Sequence, residues 1–192
     1  MAAIVIAPPA IEPVSLAEAK EHLRVDGPDE DSLVAALITA ARLTVEHLAG
    51  LALMTQRWAV LLDIWPESQA IELPVAPLAS VDVVRVYDEA DVASVIDPDL
   101  YFSDVASRPA RLVRRNLQPW PAPGRIANGI EIELTAGFGA EPSDVPETLR
   151  RAVLMLAGHW FENRAAVEAN AALRQVPLAV HALLGPYRRV RL

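Results

Sequence analysis

The chain has no cysteine, and Lys20 is the one lysine among its 192 residues. Without cysteine there are no disulfides, thiolate metal sites or thiol nucleophiles, a pattern that fits a reducing compartment. With one lysine and no GxxxxGK[ST] sequence, phosphate-loop chemistry is excluded. Serine is scarce and never stands in GxSxG, which argues against a serine hydrolase. The net charge is −8, so the basic surplus of a duplex-DNA binder is missing. The longest apolar stretch, Leu33 to Met54, is interrupted by Arg42, Glu46 and His47, whereas a membrane span wants about 20 apolar residues. The opening MAAIVIAPPA is apolar but short and has no positive leader, so no signal peptide is expected. What is present is a 53% hydrophobic chain with sixteen arginines and sixteen prolines. A chain of this size buries about 70% of its unfolded surface without staples. These features describe a soluble globular protein of one large domain or two small ones.

Hydrophobic periodicity divides the chain into three stretches. Ser15-Leu-Ala-Glu18 is a capping box, and Leu16, Ala19 and Leu23 continue it as a short amphipathic helix to Arg24. Asp26-Gly27-Pro28-Asp29 breaks that helix. A second helix is expected from Asp31 to Ala49, with Val34, Ile38, Ala41, Val45 and Leu48 on one stripe and Gly50 as its left-handed cap. From Gln56 the period becomes two. Strands are expected at Trp58–Trp65, Ala70–Leu73, Val81–Tyr87, Leu100–Ser103, Arg111–Arg114 and Ile130–Thr135, and the prolines between them favour short antiparallel strands. Ile130-Glu-Ile-Glu-Leu134 alternates between a buried and a wet face. Helical period returns after Pro146, with Leu149, Val153, Leu156 and Trp160 on a stripe reaching about Val167. Asn170–Val176 is ambiguous, and Pro177 opens a last helix through Leu184 that Gly185-Pro186 stops. The fold class is therefore α+β: a helical scaffold of two N-terminal helices (12–54) and C-terminal helices with a basic tail (144–192), around a small antiparallel β insertion (55–140).

No pattern in the chain marks a catalytic, metal or cofactor site. Gly137-Phe-Gly139 follows a strand, but Pro142 occupies the third glycine position of a dinucleotide fingerprint, so the segment reads as a turn. His159 and Glu162 have di-iron spacing, yet Glu18 and His22 do not complete the set. His47 and His181 read as ordinary helix histidines. Asp26, Asp29, Glu30 and Asp31 lack the glycine and glutamate of an EF-hand loop and read as helix capping. Trp58, Trp65, Trp120 and Trp160 read mostly as core. Arg114, Arg115 and the tail Tyr187-Arg188-Arg189-Val190-Arg191-Leu192 are candidates for contact with acidic protein surfaces, with solvated charge as the plain alternative.

An ordered set of short segments carries a resemblance. It runs from Glu12-Pro-Val-Ser-Leu-Ala-Glu-Ala-Lys-Glu-His-Leu-Arg-Val-Asp26 through Ala40-Ala-Arg42, Val45-Glu46 and Gly50-Leu-Ala-Leu-Met-Thr-Gln-Arg-Trp58. It continues with Trp65-Pro66, Ile71-Glu-Leu-Pro74, Pro77-Leu-Ala-Ser-Val81, Tyr87, Thr135-Ala-Gly-Phe-Gly139, Val145-Pro146 and His159-Trp-Phe-Glu-Asn-Arg164. It closes with Val176-Pro177, Leu183-Leu-Gly-Pro-Tyr-Arg188 and Arg191-Leu192. In this order the sequence resembles the head–tail connector (adaptor) proteins of long-tailed bacteriophages and gene transfer agents.

The resemblance implies a non-enzymatic virion protein without cofactors, made in the bacterial cytoplasm and resident at the neck of the particle. Such proteins form a twelve-subunit ring beneath the portal and link it to the tail or stopper protein, and DNA passes through the ring. The helices would be the scaffold, the C-terminal segment would engage the portal, and Arg114 and Arg115 are candidates for a subunit interface. The acidic balance suits a lumen that lets DNA slide, because phosphate contacts would hold it. The competing reading is a DNA-binding or packaging regulator that uses the helices and the basic tail.

Overall fold

The computed structural model describes residues 1–115, 119–163 and 176–188. They fall into two compact units: Met1–Ala10 with Thr55–Phe138, and Ile11–Met54 with Gly139–Leu192.

The second unit is helical. Helix α1 (Leu16–Leu23) starts at the expected capping box: the Ser15 hydroxyl accepts from the Glu18 N–H at 3.2 Å, and the Glu18 carboxylate accepts from the Ser15 N–H at 2.9 Å. Arg24 ends α1 in the left-handed region at φ 55°. Helix α2 (Asp31–Ala49) has the expected bounds, and Gly50 closes it at φ 68° with its N–H on the Glu46 carbonyl at 2.8 Å. Its buried stripe is Val34, Ile38, Ala41, Val45 and Ala49. Although α2 is long and apolar enough to cross a membrane by composition, it buries Arg42 and Glu46 and packs on helix α3 (Glu147–Glu162). Helix α3 contributes Leu149, Ala152, Val153, Leu156 and Ala157, and helix α4 (Leu178–Leu184) adds Val180 and Leu184. Trp160 is only half-buried, one turn beyond fully buried Leu156. The expected continuation of α3 to Val167 and the ambiguous stretch from Asn170 to Gln175 lie outside the described residues.

Among its described residues, the first unit is β apart from a 3₁₀ turn, Pro98–Leu100. Five strands, β1 (Ala2–Ala7), β2 (Gln56–Leu62), β8 (Ile130–Ala136), β4 (Leu78–Tyr87) and β5 (Ala93–Val95), form one antiparallel sheet in that order. Strands β3 (Ala70–Glu72), β7 (Arg111–Arg114) and β6 (Tyr101–Asp104) form a second antiparallel sheet in that order. Central β8 alternates as expected, burying Ile130, Ile132, Leu134 and Ala136. Its other face is half-buried, because the carboxylates there are matched by arginines of the flanking strands.

Two strands depart from expectation. Strand β1 precedes the first helix and pairs with β2, Ala3 opposite Val60 and Val5 opposite Trp58. Its six residues are all apolar, so no period-two signal marks it. Strand β5 has three residues, all exposed, too few to show a period. The tryptophans also differ from expectation: none of the four is fully buried. Trp65 stacks on Trp120 at 4.5 Å between centroids with planes 12° apart, and its Nε1 donates to the Pro121 carbonyl at 2.7 Å. Trp65 thus places its donor on a partner, whereas the Nε1 atoms of Trp58 and Trp120 are buried without a hydrogen-bond partner.

Candidate functional site

The chemistry of the helical unit gathers on Arg42, on the inner face of α2 with 5% of its surface exposed. Its Nε donates to Glu12 Oε2 at 2.6 Å and its Nη1 to Glu46 Oε2 at 2.8 Å. Glu12 also accepts from the Thr39 hydroxyl at 2.9 Å, and Glu46 Oε1 accepts from the Leu53 N–H at 2.8 Å. Burial alone would lower the pKa of Arg42, but its hydrogen bond to Glu12 and the charges of Glu46 and Glu12 outweigh this and raise it. The arrangement ties the segment before α1 and the loop after α2 to one helix turn. Arg42 and Glu46 share the i, i+4 spacing of a helix ion pair on an otherwise apolar stripe, a signal open to sequence reading; Glu12, thirty residues away, is not. A second tie runs from Arg150 of α3 to Glu18, Glu147 and the Pro13 carbonyl. Hydrogen bonding from the Ser15 backbone, with Arg150 nearby, holds Glu18 below the usual carboxylate range against a smaller opposing effect of burial.

In the β unit, the polar face of β8 carries a charge ladder. Arg85 of β4 pairs with Glu131 at 3.1 Å and with Glu133, and Arg57 of β2 reaches Glu133 at 2.6 Å. Tyr87 donates its hydroxyl to Glu131. The Arg85 hydrogen bond holds Glu133 below its ordinary range, and the bond to Glu131 pushes the Tyr87 phenol up.

The expected contact residues are placed as follows. Arg114 ends β7, half-buried, with its Nε buried and without a hydrogen-bond partner. Arg115 is exposed, lies 5.7 Å over the Phe102 ring and donates from Nε to the Tyr101 carbonyl at 2.8 Å. Much of its reach is spent on the β6–β7 hairpin. Tyr187 belongs to a 3₁₀ turn, Gly185–Tyr187, that follows α4, so the helix stop at Gly185-Pro186 does not release the chain. Arg188 is exposed, and its Nε donates to the Leu48 carbonyl at the end of α2, 3.3 Å away. Arg189, Val190, Arg191 and Leu192 lie outside the described residues.

Other patterns singled out in the sequence have structural uses. Gly139 is a close-approach glycine, because a Cβ there would stand 2.0 Å from Asp144 Oδ2, and it opens a 3₁₀ turn, Pro142–Asp144, leading into α3. Lys20 pairs with Asp31 of the acidic cluster. His159 lies within 3.4 Å of the Asn163 amide, and among the described residues no three acidic or histidine side chains converge as a metal site would require.

A helical unit knotted by buried ion pairs, together with an antiparallel β unit carrying a charge ladder, defines the class: an α+β protein whose charged clusters bind structure to structure. The model of the head completion protein family matches residues 12–190, and the chain belongs to that family. Its role is that of a structural head–tail connector and not of an enzyme. Three solved structures are similar over 100% of this chain and 97% of theirs. They are the neck of an empty gene transfer agent particle computed with C6 symmetry (27% identity, TM-score 0.84), the virion of a native gene transfer agent particle (26%, 0.82), and the neck of a native particle computed with C12 symmetry (27%, 0.77). No curated protein sequence matches the chain.

Proposed function

We propose that the protein forms a dodecameric ring between the portal and the tail or stopper proteins, and that DNA passes through it without sequence-specific binding. The observation that carries this reading is the full-length similarity to a neck computed with C12 symmetry. In this reading 12–54 and 144–192 are the connector scaffold and 55–140 is an insertion. Residues 187–192 dock on the portal: Tyr187 and Arg188 set the tail's point of departure, while Arg189 and Arg191 pair with carboxylates and Val190 and Leu192 supply apolar anchors. Arg114, with a buried unpaired Nε, and Arg115 face a neighbouring subunit. The net charge of −8 suits a passage that must not retain phosphate.

The test mixes the protein with its portal. Size exclusion and electron microscopy should show a co-migrating complex with twelve copies of the chain, and free protein alone in the mixture overturns the reading. Removing residues 189–192 keeps the contacts of Tyr187 and Arg188, so portal attachment should be lost at unchanged melting temperature. A truncated protein that still binds the portal moves the contact elsewhere.

A further inference from the structure

The five-stranded sheet ends on two exposed edge strands, β1 and β5. Strand β1 carries Ile4, Val5 and Ile6, all exposed by two-fifths or more, and has no charged residue or proline between Ala2 and Ala7. At the other end, Ala93, Ser94 and Val95 of β5 are all exposed, and Val92 beside them is exposed as well. Natural sheets guard such edges with lysine, proline or inward-pointing charges, because a bare edge recruits another strand. Strand β1 carries none of these guards, and the only guard on β5 is its length of three residues.

The charges select the occupant. Residues 88–99 around β5 include Asp88, Glu89, Asp91, Asp97 and Asp99 and no basic residue. Two β5 edges brought together would oppose these acidic groups, whereas the uncharged β1 meets them without like-charge repulsion. Pairing β1 with β1 would give a closed dimer and leave β5 bare. Pairing β1 with β5 satisfies both edges, and it is heterologous, the kind of contact a cyclic assembly needs.

We propose that in the ring β1 of one copy adds to β5 of the next, continuing the sheet from subunit to subunit. This rests on the ring reading above. The strand directions fix the sense of pairing. Four successive antiparallel pairings make β1 and β5 run the same way within one sheet. By chain sense alone, the added β1 therefore pairs parallel with β5.

The absence of cysteine supplies the test. Two double variants, Ala3→Cys with Ser94→Cys and Ile4→Cys with Ser94→Cys, sample both faces of β1 at exposed positions. Each is assembled on the portal, imaged, mildly oxidised and run on a non-reducing gel. One of the two should give a ladder of linked chains, while the three single variants stay monomeric on the gel. Rings without a ladder from either double variant overturn the edge pairing and leave the ring reading intact. A dimer band from Ile4→Cys alone overturns it in favour of β1–β1 pairing. Absence of rings in the unmodified protein brings down both readings.

Discussion

The helical and β units use the same ionic chemistry at different depths. In the helical unit the Arg42 and Glu46 side chains are 6% and 10% exposed, and they join segments far apart in sequence. In the β unit Arg85 and Arg57 are 28% and 51% exposed, and their partners lie across neighbouring strands. The buried knot is a condition of folding, because loss of Arg42 leaves the buried Glu46 an uncompensated charge. The ladder reinforces a register already set by the alternating apolar face of β8, and water can take over its charges. Depth, more than the number of charges, decides what such a cluster is worth.

The sharpest way to break this contrast is to remove one arginine from each unit. Arg42→Met should destabilise the helical unit by about 3–5 kcal/mol, the usual cost of orphaning a buried partner. Arg85→Met should cost about 1 kcal/mol or less, since the pair is partly solvated. Amide hydrogen exchange in α2 and β8 reads the two units separately. Equal losses in both would show that exposure does not separate the two clusters.

A second contrast lies within α3. Leu156→Ala empties a fully buried site and should cost about 2–5 kcal/mol. Trp160→Ala, at a half-buried position, should cost less despite the larger side chain. Denaturant midpoints of the two variants decide it, and a larger loss for Trp160 would place that ring in the core.

These contrasts also mark where sequence reading works. The capping box at Ser15, the bounds of α2, its Gly50 cap and the alternation of β8 are set by neighbours in the chain, and all were legible. The strands at the sheet edges were not, because β1 is uniformly apolar and β5 too short to show a period. The Arg42 knot was half legible: its Glu46 arm obeys helix spacing, but Glu12 enters only through the tertiary fold. Glu12, Arg42 and Glu46 all stand in segments that carry the family resemblance, although their partnership was not evident from those segments. The sequence places the start of the tail at Tyr187, but the 3₁₀ turn and the Arg188 contact keep its first two residues in the fold.

Each unit also holds a glycine against which another part of its chain is closely packed. A Cβ at Gly124, in the β unit, would lie 2.3 Å from the Glu89 backbone nitrogen, while one at Gly139, in the helical unit, would meet the Asp144 side chain. A backbone yields less readily than a side chain, so Gly124→Ala should cost more than Gly139→Ala, both on the order of 1–3 kcal/mol. Asp144→Gly should recover part of the Gly139→Ala loss and none of the Gly124→Ala loss. Thermal melts of the four variants test the ranking, and an equal cost at both sites would show that the Gly124 turn relaxes freely.

The smallest effect is expected at a surface ion pair on the β6–β7 hairpin. Asp104 accepts from the Ser107 hydroxyl at 2.6 Å, from the Ser107 N–H at 3.1 Å and from Arg111 Nη2 at 2.6 Å. The Ser107 hydroxyl contributes most, Arg111 next, and together they lower the carboxyl from its ordinary 3.8 to about 2. A folded value below the unfolded one means that the carboxylate stabilises the hairpin above pH 3.8. That contribution fades as the pH falls through about 2. Asp104 is half-buried and Arg111 exposed, so the pair stays in reach of water, and Asp104→Asn should change the melting temperature at neutral pH only slightly. The shift should nevertheless be plain in an NMR titration of the side-chain carboxyl, and Ser107→Ala should move the midpoint back up more than Arg111→Met does. A midpoint that follows Arg111 alone would mean that ion pairing, and not the hydroxyl, holds the charge, extending the logic of the Arg42 knot to the surface. A midpoint at the ordinary value in the unmodified protein would show that the turn does not hold its hydrogen bonds in solution.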